Sequence, residues 1–162
     1  MKKTLITLCI ALAACVSAWA GTPEKVEKLI RQYKGQEGFE VVTIGRLGLS
    51  LIKTAAKMDG DLDEQDRAAL RALDGITKLV VAEFEDAPSA QKAQFTAKLE
   101  KLLSGMELVL ETRDETETFR IYGIEDGKRI RDCILYSSDG AVMYVAGSID
   151  LDSAGALMGM EQ

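Results

Sequence analysis

Residues 107–149 read ELVLETRDETETFRIYGIEDGKRIRDCILYSSDGAVMYVAGSI, and their punctuation decides the fold. Asp126-Gly127 and Asp139-Gly140 separate three half-apolar runs. Asp-Gly between such runs marks a hairpin, because a tight two-residue loop needs positive φ, which Gly and Asp tolerate. The stretch therefore predicts four strands in a row. With two-residue loops, Glu125 faces Lys128 and Ser138 faces Ala141. Counting back stacks Phe119, Ile134 and Val145 on one face, together with Ile121, Ile130, Tyr136, Met143 and Ile149, and this is the expected core side. Arg120, Tyr122, Arg131, Cys133, Ala146 and Ser148 fall on the other, wetter side. Asp132 resists this register. It lands on the core side between Ile121 and Gly147, where an unpaired carboxylate is costly, and a slip of one residue would exchange the two faces.

Outward from this meander, the chain begins as an export signal. Lys2 and Lys3 precede an apolar run over 5–14, too short to span a bilayer as a helix. Ala18-Trp19-Ala20 before Gly21 fits a small-x-small cleavage site. Leu12-Ala13-Ala14-Cys15 offers a competing reading, a lipobox in which Cys15 is diacylated. The residues after Cys15 stay apolar, unlike a polar lipoprotein tether, so cleavage after Ala20 is the favoured expectation. On that reading residues 1–20 are a signal peptide and 21–162 a single domain.

Removing the first 20 of 162 residues leaves 142, enough to bury a sizeable core. Without Lys2 and Lys3, 18 basic residues stand against 26 acidic, a net charge of −8. Such a body is a poor match for nucleic acid or anionic lipid. Membrane attachment is expected only through lipidation at Cys15. Cys9 and Cys15 lie in the signal, so Cys133 is the one thiol of the mature chain and no internal disulfide can form. No histidine occurs in the 162 residues. That excludes Ser-His-Asp and Cys-His nucleophile systems and His-ligated zinc.

The remaining segments alternate in period. Thr22-Pro23 opens a helix whose stripe is Val26, Leu29, Ile30 and Tyr33, closed by Gly35. Residues 39–44 read as a strand. Residues 46–57 return to helical spacing through Leu47, Leu51, Thr54 and Met58, with Leu49, Ile52 and Ala56 on another side. That helix is expected to be well buried. A helix over 64–73 follows an acidic loop, a strand over 76–84 follows Asp74-Gly75, and Ala87-Pro88-Ser89 starts a helix carrying Phe95, Leu99, Leu102 and Leu103. Asp150 is expected to cap a last short helix with Leu151, Leu157 and Met158. The fold class is α+β: a mostly antiparallel sheet with a C-terminal four-strand meander and helices layered on one face.

Each candidate site has a plainer reading. Asp59-x-Asp61-x-Asp63 opens like a calcium loop, but its sixth position is Glu64 and its twelfth Leu70, so helix capping by Asp61 or Asp63 is preferred. Cys133 has Arg120 near it but no base, and reads as a passive strand cysteine. Asp114-Glu115-x-Glu117 could supply paired carboxylates for glycoside hydrolysis, yet reads as a solvated turn. No phosphate loop follows any glycine. No catalytic residue, cofactor or metal is expected.

Tyr33-Lys34-Gly35-x-x-Gly38-Phe39, Leu73-x-Gly75-Ile76, Asp114-Glu115-x-Glu117-x-Phe119-Arg120-Ile121-Tyr122 and Gly147-x-Ile149-Asp150-Leu151 together resemble the domain-of-unknown-function 4252 family, small exported proteins typical of Bacteroidetes. The resemblance spans nearly the whole mature chain, and its closing motif is the most specific. It implies a bacterial envelope location, periplasmic or anchored, and hints at an envelope response, since members are in cases encoded beside alternative sigma factors. It transfers no catalytic residue, because the family has no established activity. The leading expectation is a non-catalytic envelope protein that binds a protein partner or itself, through a sheet face carrying Tyr122, Leu135 and Tyr144. The alternative is a carrier holding a small apolar molecule between helices and sheet.

Overall fold

The runs of β-branched and aromatic residues become strands, and the 3.6-period stripes become helices. In the computed structural model of the protein, residues 21–150 are described, apart from Asp59, Asp61 and the side chains of Gln65, Ala68 and Ala69. Their order is α1 (Thr22–Gln32), β1 (Glu40–Ile44), α2 (Arg46–Met58), α3 (Glu64–Ala72), a 3-10 turn (Leu73–Gly75), β2 (Ile76–Glu83), α4 (Ser89–Leu103), β3 (Leu108–Arg113), β4 (Thr118–Asp126), β5 (Arg129–Ser137) and β6 (Ala141–Asp150). The export signal, Cys15, two acids of the loop before α3 and the expected last helix fall outside the described residues. Asp150 itself is the last residue of β6, paired with Arg129, rather than a helix cap.

All six strands form one antiparallel sheet in the order β1-β2-β6-β5-β4-β3, so the predicted meander is present and its last strand slots beside β2. The α+β architecture holds. α1 and α4 pack on one face. Val26, Leu29, Ile30 and Tyr33 of the first stripe are all buried there, as are Phe95, Leu99 and Leu103 of α4. Tyr33, Phe39, Phe84 and Phe95 interlock between these helices and the sheet, with ring centroids 4.7–5.9 Å apart. Edge-to-face pairs of this kind add roughly 1 kcal/mol each beyond simple burial.

Register departs from the expectation, and Asp132 is the reason. The first hairpin closes through Gly127-Lys128, with Asp126 opposite Arg129, and the second through a three-residue loop, with Ser137 opposite Ala141. Between Arg131 and Cys133 the ladder shifts, so Asp132 forms a β-bulge with φ 48°. The bulge removes Asp132 from the alternation and lets its Oδ1 accept the N–H of Gly147 at 3.2 Å. Against β4 the irregularity leaves β5 one residue longer and against β6 one residue shorter, and either way the alternation along β5 breaks at Asp132. Ile134 and Tyr136 therefore join the helix-covered face, with Val80, Val142 and Tyr144. Ile121, Ile130, Cys133 and Val145 form a second buried cluster, against which Phe119, Leu135, Met143 and Ile149 pack. The expected wet side does not exist: both faces are apolar.

The interruption continues into the neighbouring strands, while β1 pairs with β2 in unbroken register. Register also shifts between Ile76 and Lys78 in β2 and between Tyr122 and Ile124 in β4. Gly147 sits in the same row at φ 112°, where a Cβ would lie 2.2 Å from the carbonyl oxygen of Gly75. Only glycine fits a left-handed position pressed against backbone. Gly147→Ala is expected to destabilise the fold by about 2–4 kcal/mol. Gly127→Asn, at φ 66° in open space, should change stability by less than about 1 kcal/mol. Urea denaturation of both variants checks this, and equal midpoints for the two would refute the account.

Candidate interaction surface

The three residues expected to share a binding face do not meet. Tyr122 and Tyr144 pack under the helices, Tyr144 being 5% exposed, whereas Leu135 lies on the opposite face against the second cluster. Lys78 stands over the Tyr144 ring, 5.8 Å from its centroid, and donates to Glu27 of α1 at 2.7 Å. Burial pushes the Tyr144 phenol up to about 12, with Asp132, Glu27 and Glu24 adding to the effect. These tyrosines belong to the core.

The other sequence candidates resolve into structure. Cys133 is 1% exposed, and burial first, then Asp132, raises its thiol to about 12. A neutral, enclosed thiol is a poor nucleophile. Asp114 Oδ1 accepts the backbone N–H groups of Thr116 and Glu117 at 2.8 Å, and the first of these bonds leads the causes that hold its carboxyl below the usual range. It is the β3–β4 turn. Asp63 Oδ1 accepts the N–H of Asp66 at 2.8 Å and so caps α3. Among the described residues, no group of three or more His, Cys, Asp or Glu side chains is placed to hold a metal ion.

What stands out instead is α2. Leu47, Leu51 and Met58 are 83%, 71% and 82% exposed, and Ile52 on the adjoining side 44%. This overturns the expectation of a well-buried helix: of its large apolar residues only Leu49 is enclosed. Positions 47, 51, 54 and 58 repeat at i, i+4, i+7 and i+11, which sets them along one line of the helix surface. Val42 on β1 is 45% exposed as well. The sequence held a signal for this. Residues 46–58 carry apolar groups on two sides, and a helix at a domain edge packs only one of them.

α2 is also cationic. Arg46, Lys53 and Lys57 lie on it with no acid. Lys53 and Lys57 line a cleft of about 300 Å³ with Arg67 and Arg71 of α3, floored by Leu62 and Leu70. Asp74 closes it, accepting from Lys53 Nζ at 2.9 Å, and that bond leads the causes that lower its carboxyl. At the far end of β1 and β2 an open cleft of about 550 Å³ has the opposite sign, with Glu40, Glu83, Glu85, Asp86, Glu117 and Asp139 in its walls. Ser137 Oγ donates to Glu117 Oε1 at its edge. No helix among the described residues is long and apolar enough to cross a membrane.

The family model described as Domain of unknown function (DUF4252) matches residues 33–157, and the chain belongs to that family. The match opens in the loop after α1 and takes in every later element, the exposed α2 included. No curated protein and no solved structure matches the chain.

The two buried acids set an alkaline limit. The unfolded chain releases the thiol proton near 9 and the phenol proton near 10, while the folded chain holds both to about 12. Above pH 9 the unfolded state therefore binds fewer protons, so stability is full below that pH and declines as pH rises toward 12. Urea midpoints between pH 8 and 11 are expected to fall, less steeply in Cys133→Ala. Iodoacetamide at pH 8 should leave the native thiol unlabelled and alkylate it once the chain unfolds. Rapid native labelling would show Cys133 to be accessible.

Proposed function

We propose that this DUF4252 protein is a non-catalytic, exported protein of the cell envelope that acts by binding a protein partner through α2. The observation that carries the reading is the solvent-facing line of Leu47, Leu51 and Met58. An exposed apolar line on one helix face is the usual anchor of helix-in-groove recognition, and here its apolar members stand at i, i+4 and i+11, with Thr54 at i+7. The cations beside the line set the partner's chemistry. An amphipathic helix or groove with apolar anchors and flanking acids complements α2. A second copy does not, because two such helices would bring Arg46, Lys53 and Lys57 against their own counterparts.

Export rests on the charged start, the short apolar run and Ala18-Trp19-Ala20, with lipidation at Cys15 as its anchored variant. A role in an envelope response belongs to the same proposal. The non-catalytic half of the reading draws on the lack of histidine, on the enclosed neutral thiol and on acids spent in turns and caps. The alternative, carriage of a small apolar ligand between helices and sheet, is favoured less because Tyr33, Phe39, Phe84 and Phe95 are packed together there.

A photo-crosslinking residue at position 51 of the natively expressed protein is expected to capture one protein, and Leu47→Ser with Met58→Ser to abolish the adduct. Both side chains being exposed, the double variant should keep its melting temperature, within about 0.5 kcal/mol. Leu49→Ala, by contrast, is expected to cost about 2–4 kcal/mol. Adducts to lipid alone, or a protein adduct indifferent to the double variant, would end the reading.

A further inference from the structure

We infer that the cleft between α2 and α3 is a binding site for a phosphate group bearing at least two negative charges. Lys53 and Lys57 are one turn apart on α2, and Arg67 and Arg71 one turn apart on α3. Spacing of i, i+4 puts each pair on one helix face, and both pairs line one opening. Among the described residues four cations and one acid, Asp74, line it, a net local charge of +3 in a chain whose net charge is −6. Chance distribution of charge in an acidic chain works against such a gathering.

The cations are also largely unspent. Only Lys53 is ion-paired, with Asp74, and among the described residues Lys57, Arg67 and Arg71 make no salt bridge. Asp63, the nearest described acid of the preceding loop, is engaged as the α3 cap. Like charges at i, i+4 lower helix stability by a few tenths of a kcal/mol per pair, and a multivalent anion between the helices reverses that repulsion. A monocarboxylate would leave most of the charge unmatched. Two guanidinium forks suit the several oxygens of a phosphate, each able to accept a pair of N–H donors. Leu62 and Leu70 then face whatever apolar group the phosphate esterifies.

This phosphate could belong to a soluble ester or to a lipid headgroup, and α2's exposed leucines distinguish the two. Titration of the purified mature protein with inorganic pyrophosphate, followed by calorimetry and amide NMR, is expected to show saturable binding at about 1 mM or below. Arg67→Gln with Arg71→Gln should weaken it at least about tenfold, the loss of one or two charge-assisted hydrogen bonds. Asp74→Asn, which frees Lys53, should strengthen it. All three side chains are exposed, and unchanged melting temperatures would show that the variants fold. No saturable binding, or affinity indifferent to the arginine pair, overturns the inference.

Phosphatidate vesicles that bind, and that lose binding with Leu51→Ser while pyrophosphate affinity holds, place the phosphate on a lipid. Phosphatidate vesicles that bind no better than phosphatidylcholine place it on a soluble ester. The inference stands apart from partner binding: crosslinking at position 51 and pyrophosphate titration can fail separately.

Discussion

The hydrogen bond from Gly147 N–H to the Asp132 carboxylate, 3.2 Å long, is the constraint on which the sheet depends. It holds one residue of β5 out of the ladder, and every face assignment beyond it follows. With Asp132 in register, Ile134 and Tyr136 would point away from α1 and α4, and the helix-covered core would lose its middle strand. With Asp132 bulged, β5 contributes Ile134 and Tyr136 to one cluster and Ile130 and Cys133 to the other. The carboxylate that seemed a liability is the device that makes both faces apolar.

The same row of irregularities explains why glycine recurs there. Gly75 and Gly147 bring β2 and β6 together closely enough that a Cβ on either would meet backbone. Gly123 faces Ile130 and Cys133, and a side chain on it would displace Ile130. A crease at this line adds twist and curvature to the strands.

Against that packed body, the α2–α3 pair is lightly held. Leu49 is the enclosed large apolar residue of α2, and Lys53–Asp74 ties the helix to the turn before β2. Surface ion pairs contribute little, at most about 1 kcal/mol. A unit with few buried contacts opens at lower free energy than the core around it. It is also where exposed leucines and unpaired cations gather, and that coincidence separates the binding surface from the scaffold.

Local chemistry made much of this readable from residues alone. Stripes at 3.6-residue spacing, Pro23 near a helix start, Asp63 before another and glycine in the hairpins each act within a few residues, so the elements from Thr22 to the last strand, and their order, were determined there. The absence of histidine bounded the chemistry as firmly. Register was not local. Whether Asp132 pairs or bulges depends on Gly123 and Gly147, which only strand pairing brings beside it. The side of α2 that is buried depended likewise on what packs against it, and periodicity shows two apolar sides without saying which meets the sheet. The cationic cleft belongs wholly to tertiary structure: its two halves lie on separate helices, and their charges meet only where the fold brings both to one opening.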